Sequence, residues 1–324
     1  MRYLLLILFL SFSSARAQTL TLVELNCENL FDIHHDTLKQ DHEFLPDGTR
    51  RWTRSRYWHK VNTIGQEILS CSDDIPDLVA LVEVENDSVL HALTRRSLLR
   101  RAGYDYLMTC SPDIRGLDVA MLYRPSRFAP ICYESIQVLT KGEQRPTRDI
   151  LYIKGRVVTG DTLHLYIVHA PSRYGGERRT RTYRMQVSHT LSRHIDTLGH
   201  KALVAVAGDF NDYADSPSLL HLYQYGLSNI TAEAKGGNGV RGTYRYRGEW
   251  HSIDHVLASS CLSAKVDTVY INDAPFLLED EERYGGKRPH RTFQAYRYQR
   301  SGFSDHLPLV VRFRLGTLDQ QRKH

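Results

Sequence analysis

Residues Ala202-Leu203-Val204-Ala205-Val206-Ala207-Gly208-Asp209-Phe210-Asn211-Asp212 decide how this chain is read. Every side chain over 202–207 is apolar. A strand there has both faces buried and belongs in the middle of a sheet. Gly208 ends it, and two polar side chains, Asp209 and Asn211, leave the end one residue apart. Open α/β sheets build their sites at the carboxyl ends of strands. Asp and Asn are also ordinary turn residues, so this fragment needs company before it means chemistry.

Other β-rich runs lie at 20–26, 77–82, 117–123, 150–158, 162–169, 253–258 and 308–313. In the run 162–169, Leu163, Leu165 and Ile167 face one way while His164, Tyr166 and Val168 face the other. Helical spacing links Tyr57, Val61, Ile64 and Ile68. It links Val187, Leu191, Ile195 and Leu198 as well, with Gly199 as the expected stop. Residues 33–56 are polar and turn-rich around Pro46-Asp47-Gly48 and read as a long surface loop. Many strands, few helices and no regular βαβ alternation predict an α/β (α+β) protein, with sheets packed on each other and helices outside.

The start of the chain reads differently. Arg2 precedes an apolar run over residues 3–10, and Ala15-Arg16-Ala17 has the form of a cleavage site. Residues 1–17 are expected to be a signal peptide cut before Gln18, which implies a secreted or periplasmic protein. Residues 18–324 show no repeat and no linker, and are expected to form one domain. The apolar and charged shares, 41% and 24%, are ordinary for a globular chain. A net charge of +5 counts Arg2 and Arg16 and argues only weakly for a polyanion partner. The local cluster Arg173, Arg178, Arg179, Arg181 and Arg184 says more. Of the five cysteines, no pair has metal-ligand spacing. Cys110 and Cys132 are candidates to bridge neighbouring strands in an exported protein, or all five are small buried apolar residues.

Further candidate residues stand at the other strand ends. Ser304-Asp305-His306-Leu307-Pro308 precedes the closing strand. Asp254 and His255 open another and point to opposite faces. Asn26 and Glu28 end the first strand and share a face by period two. Glu83 ends an apolar strand, where a carboxylate is costly unless it is paired or metal-bound. Asp118 is a polar residue in a strand or a support for the site. Carboxylate and amide oxygens suit a hard cation such as Mg²⁺, with Mn²⁺ or Ca²⁺ equally compatible. No H-e-x-x-H-type zinc motif, serine-nucleophile elbow or Walker loop appears.

In these residues the chain resembles the endonuclease/exonuclease/phosphatase superfamily, and its deoxyribonuclease I-like branch in particular. Asn26, Glu83, Gly208-Asp209-Phe210-Asn211 and Ser304-Asp305-His306 carry the resemblance, which spans residues 20–315. It implies a four-layered sandwich of two mixed β-sheets flanked by helices, with the site at one rim. It implies metal ligation by Glu83 with Asn26, Glu28 and Asp305. It gives His306, oriented by Asp254, a phosphate-binding or water-activating role. Asp209 would handle a proton and Asn211 would donate to a phosphate oxygen. His169 resembles the second histidine of the deoxyribonuclease I branch. Arg173 and Arg178 could grip flanking phosphates, or belong to a solvated basic face. The expected function is metal-dependent phosphodiester hydrolysis, foremost by a nuclease acting on DNA or RNA. The alternative is a phospholipid or sphingomyelin phosphodiesterase, or an inositol-phosphate phosphatase, of the same superfamily.

Overall fold

The structure, a computed structural model, describes residues 18–139 and 146–316. The expected signal segment, residues 1–17, lies outside the described residues. The chain runs from β1 (Gln18–Leu30) through helix α1 (Arg54–Leu69) to β2 (Leu78–Val84), past a short helix α2 (Asp87–His91), to β3 (Asp105–Met108) and β4 (Asp118–Tyr123). It continues as β5 (Phe128–Ile136), β6 (Ile150–Val157) and β7 (Thr162–His169). Helix α3 (Glu177–Ile195) then leads to β8 (Leu203–Asp209), α4 (Pro217–Tyr223) and β9 (Leu227–Asn229). The hairpin β10 (Tyr244–Tyr246) and β11 (Glu249–His251) precedes β12 (Asp254–Ser259) and β13 (Val266–Ile271). Two more hairpins follow, β14 (Leu278–Asp280) with β15 (Lys287–Pro289) and β16 (Phe293–Gln294) with β17 (Arg297–Tyr298). The last strand is β18 (Leu309–Gly316).

Two six-stranded mixed sheets result, ordered β13-β18-β1-β2-β4-β3 and β5-β6-β7-β8-β12-β9. Each has one parallel pair at its centre, β1 with β2 and β7 with β8, joined by a helical crossover. All other pairings within these sheets are antiparallel. The inner faces meet in a core containing Leu22, Ala80, Val82, Leu165, Ile167, Ala205, Ala207 and Val311. Outside the first sheet, Val61, Ile64 and Ile68 of α1 cover Val23, Leu25, Val79 and Leu81. Outside the second, Val187, Leu191 and Ile195 of α3 cover Tyr166, Val168, Val204 and Val206. This is the expected four-layered sandwich, and the alternation expected over β7 divides its side chains between inner and outer cores.

Three expectations need correction. Residues 33–56 are not simply a surface loop. Phe44 and Trp52 are buried, the Trp52 indole donates to the Phe31 carbonyl (2.9 Å), and α1 has begun by Arg54. Two large aromatics in a polar stretch pull it back onto the outer layer. Helix α3 ends at Ile195, a few residues before Gly199, in a turn closed by the Leu198 amide on the Ile195 carbonyl. No disulfide joins Cys110 and Cys132, and all five cysteines are free thiols. Cys110 follows β3 in one sheet while Cys132 sits in β5 of the other. Only Cys27 and Cys71 are buried.

Gly208 fixes how β7 and β8 approach each other. It pairs with Val168 at φ 148°, and a Cβ there would stand 1.9 Å from the Val168 carbonyl oxygen. Gly208→Ala should lower unfolding stability by about 2 kcal/mol or more through backbone strain. A urea melt measures this, and an unchanged midpoint would show that the pairing adjusts freely.

Candidate active site

Topology brings the polar strand ends to one rim. Because β1 ∥ β2 and β7 ∥ β8, their carboxyl ends carry Asn26, Glu83, His169 and Asp209 out in matched pairs. An antiparallel neighbour delivers its amino end to the same edge. Asp254 opens β12 directly opposite Asp209. Asp118 opens β4 opposite Val84. His306 stands just before β18, which runs antiparallel to β1. Within each strand, alternation aims the side chain. Asn26, His169, Asp209 and Asp254 fall on the parity of the inward core residues Leu22, Ile167, Ala207 and Val256.

Glu83 breaks that parity, and a bulge explains it. Simple alternation would place it outside with Val79 and Leu81. Instead the β2–β4 register shifts between Val82 and Val84, and Glu83 takes φ 63°. A bulge re-aims a side chain in this way. Its Oε2 accepts the Asn29 amide (2.9 Å) and its Oε1 stands 3.7 Å from His169 Nε2. Asn29 itself has φ 59°, so β1 bulges alongside. Asn211, at φ 51°, is left-handed as well. Such strain gathers at functional sites.

The side chains interlock. Asn26 Nδ2 donates to Asp209 Oδ2 (3.2 Å), and His169 Nε2 lies 3.8 Å from the same oxygen. Asp209 Oδ1 accepts the Asn211 amide (2.8 Å), and Asn211 Nδ2 donates to the Ala170 carbonyl (3.1 Å). His306 Nδ1 meets Asp254 Oδ2 at 2.8 Å, and the Thr243 hydroxyl donates to that carboxylate as well. One ligand atom each from Asp209, Asp254 and His306 lies within 4.8 Å of the others. Asp305 is half-buried and forms no hydrogen bond among the described residues. The ends of β1, β2, β7, β8 and β12, with the segment before β18, thus supply one cluster.

Electrostatics divides the two imidazoles. Burial opposes a charge on His306, but the charge and hydrogen bond of Asp254, with Asp305 and Asp209, outweigh it and raise His306 well above the usual histidine range. Burial and the Arg148 and Arg115 guanidiniums hold His169 well below it, and its Nδ1 is buried without a partner. Burial first, then the Asp254 carboxylate, push Asp209 up to about 8. Glu24, one strand repeat below Asn26, is buried with neither carboxyl oxygen partnered. Burial, Asp254 and Asp209 raise it strongly too. A proton forced onto a crowded carboxylate is what a cation would replace. Oxygen donors from Asn26, Glu83 and Asp305 suit a hard divalent ion, so the donor set fits one.

Other candidates fall elsewhere. Glu28 does not share Asn26's face in the way period two implies. It takes φ 48°, and its carboxylate accepts the amides of Thr292 (2.5 Å) and Phe293 (3.0 Å). It ties the 290–303 segment to β1, with burial and Asp305 pushing it up to about 7. Asp118 is a support, accepting the Ser111 amide (3.0 Å) and the Thr109 and Ser111 hydroxyls. His255 points away, to the Asp212 carbonyl (2.9 Å). Arg184 is no solvated arginine. It is buried, its Nε 2.8 Å from Asp212 Oδ2, and it clamps α3 to the loop after β8. Arg173 lies over the Tyr213 ring at 4.5 Å. Arg178 is exposed on the first turn of α3.

Arg148 was missed by sequence reasoning. It is buried, 3.4 Å from Asp113 Oδ2 and 3.5 Å from the Ala170 carbonyl, and it feels the charges of Glu83 and Asp209. It stands just before β6, antiparallel to β7, so the rule that places Asp254 at the rim would have found it.

The profile of the Endonuclease/Exonuclease/phosphatase family matches residues 21–315. The chain belongs to this family. No curated protein matches it at a significant level. Solved structures do. An endonuclease/exonuclease/phosphatase family protein from Bacteroides thetaiotaomicron is 16% identical over 92% of this chain and 98% of its own, with a TM-score of 0.63. The mannosyl-6-phosphatase Bt3783 of the same organism is 17% identical over 90% and 98%, at 0.61. D. rerio TDP2 complexed with single strand DNA product is 17% identical over 91% and 98%, at 0.51. At these identities the likeness is one of fold. Membership in the family makes the chain a phosphoesterase of a metal-dependent class.

The pairing of His306 with Asp254 sets a pH limit. A histidine raised by its partner stays cationic at low pH and loses its proton as pH rises through the raised value. Asp254→Asn removes the negative charge and should move the alkaline loss of activity to lower pH by about one unit or more. A pH–rate profile of both proteins checks this, and coincident alkaline limbs would show that Asp254 does not set the charge.

Proposed function

We propose that this chain is an exported, Mg²⁺-dependent phosphodiesterase that cuts the backbone of DNA or RNA. The observation that carries the reading is the contrast between two imidazoles reaching one carboxyl group. Asp254 raises the proton affinity of His306, burial and Arg148 lower that of His169, and Asp209 stands close to both. Groups whose surroundings drive their proton affinities apart mark the donor and acceptor of a proton-transfer site.

The roles follow from the charges. Cationic His306, fixed through Nδ1 by Asp254, presents its other nitrogen to a phosphate oxygen and offsets the charge that builds there. Asp209, whose proton affinity burial and Asp254 raise, would release a proton to a leaving oxygen. Neutral His169 can take a proton from an entering water. Asn26 and Asn211 hold Asp209 in place, and Asn211 keeps one amide hydrogen for a phosphate oxygen. Glu83, with Asn26 and Asp305, would hold Mg²⁺, which supplies Lewis-acid polarisation of the phosphate when bound. Glu28 would act behind them by fixing the loop beside Asp305. Arg173, stacked on Tyr213, and exposed Arg178 would grip neighbouring phosphates of a polymer. A relative of like fold holds a single-stranded DNA product. Among the described residues no helix is long and apolar enough to cross a membrane.

Purified protein with Mg²⁺ or Mn²⁺ should nick plasmid DNA or degrade RNA, and EDTA should abolish this. Glu83→Gln and His306→Ala should each lose about 100-fold or more in rate. The thermal melt should barely move for Glu83→Gln and should fall for His306→Ala, which leaves buried Asp254 unpaired. Turnover confined to a sugar phosphate, an inositol phosphate or sphingomyelin would overturn the nuclease reading and leave the metal phosphoesterase intact. A mature N-terminus at Gln18 would support export. An intact Met1 on protein recovered from the native host would count against it.

A further inference from the structure

A second cluster of metal-ligating side chains lies outside the phosphoesterase rim, in the segment between β1 and α1. His35, Asp41 and His42 each place a ligand atom within 4.8 Å of the other two. Asp41 is buried while both histidines are exposed. His35 Nδ1 lies 2.5 Å from Asp41 Oδ1. The two imidazole rings stand 4.2 Å apart with an interplanar angle of 48°.

We propose that His35, Asp41 and His42 form a binding site for a divalent transition ion of the zinc class. Two imidazoles this close repel if both are protonated, whereas two neutral rings beside one carboxylate offer three ligand atoms within 4.8 Å of one another. Imidazole nitrogens with one carboxylate suit Zn²⁺, Co²⁺, Ni²⁺ or Cu²⁺ and not Mg²⁺ or Ca²⁺, which prefer oxygen. The carboxylate is pre-set. Asp41 Oδ2 accepts the Asp36 amide (2.7 Å), the outer-shell support that orients a ligating group. The segment is itself anchored. Lys39 Nζ donates to the carbonyls of Ser111 (2.8 Å) and Asp113 (2.9 Å), and the Gln40 amide donates to Ile114 (2.7 Å). Phe44 stacks on Phe31 on the other side. Three protein ligands leave a fourth tetrahedral position for water. A cavity of about 600 Å³, lined by His42, Glu43 and Tyr296 among others, opens beside it. The ion would close the eight-residue span from His35 to His42 against the loop that carries Asp113 and Arg115.

The test uses the metal-stripped chain in excess Mg²⁺, titrated with Co²⁺ and Zn²⁺ and followed by calorimetry and by the visible bands of four-coordinate Co²⁺. We expect one Co²⁺ or Zn²⁺ per chain bound with Mg²⁺ present. His42→Ala, an exposed position, should weaken it by about 100-fold or more, and Glu83→Gln should leave it unchanged. The melting temperature of the unmutated chain should rise with Zn²⁺ and that of His42→Ala should not. Equal affinity in His42→Ala, no binding at all, or loss of binding in Glu83→Gln would each overturn the site. The last result would put the ion in the phosphoesterase centre instead.

Discussion

Crowding of acid groups around one cationic imidazole governs this molecule. Glu24, Asp209 and Asp254 are buried at the join of the two sheets, and Glu83 leans in from the rim. Uncompensated carboxylates in such a place cost several kcal/mol each. The crowding raises the proton affinity of Glu24 and Asp209 and is offset by the His306–Asp254 pair and the nearby guanidinium of Arg148. A divalent cation offsets it more completely. The cluster is therefore poised to exchange protons for a metal and a phosphate, and its instability when empty is a source of its affinity when filled.

That crowding exists only because the sheets are mixed in a particular way. A parallel pair at the centre of each sheet sends four carboxyl ends to one edge. Every antiparallel neighbour sends an amino end to the same edge. Face-to-face packing then sets His169 and Asp209 of one sheet against Asn26 and Glu83 of the other. The close β7–β8 pairing at Gly208 and the bulges at Glu83 and Asn29 trim this edge locally. Shifting β8 by one residue would turn Asp209 to the outer face, so the apolar pattern that stabilises the core also determines the chemistry.

Much of this was legible from the residues. Alternation places Asn26, His169, Asp209 and Asp254 on the core-facing side, and the structure keeps them there. It cannot place Glu83, because a bulge is a choice of backbone that no side-chain period reveals. It misplaces Glu28 for the same reason. Glu24 was readable in principle, being on the parity of Leu20, Leu22 and Asn26. A lone buried acid in an apolar strand is easily taken for surface. Arg184 hid in a run of arginines that looked solvated. Only its partner Asp212, distant in sequence, shows it to be a clamp. Strand β5 went unseen because its apolar residues, Ile131 and Tyr133 among them, are exposed and follow no alternation toward a core.

The buried charges away from the rim follow one logic. Lys60 of α1 donates to Thr292 and to the Phe303 carbonyl. Glu28 accepts the amides of Thr292 and Phe293 from the other side. Arg184 and Asp212 tie α3 to the loop after β8. Each joins an outer helix or the last crossover to a strand end that bears a site residue. Apolar contacts alone would hold these loops nearby, but they are non-directional. The hydrogen-bonded ions Lys60 and Glu28 have fixed geometry and can hold Asp305 and His306 to the tolerance that catalysis demands. The outer layers of the sandwich thus serve as the mounting for its rim.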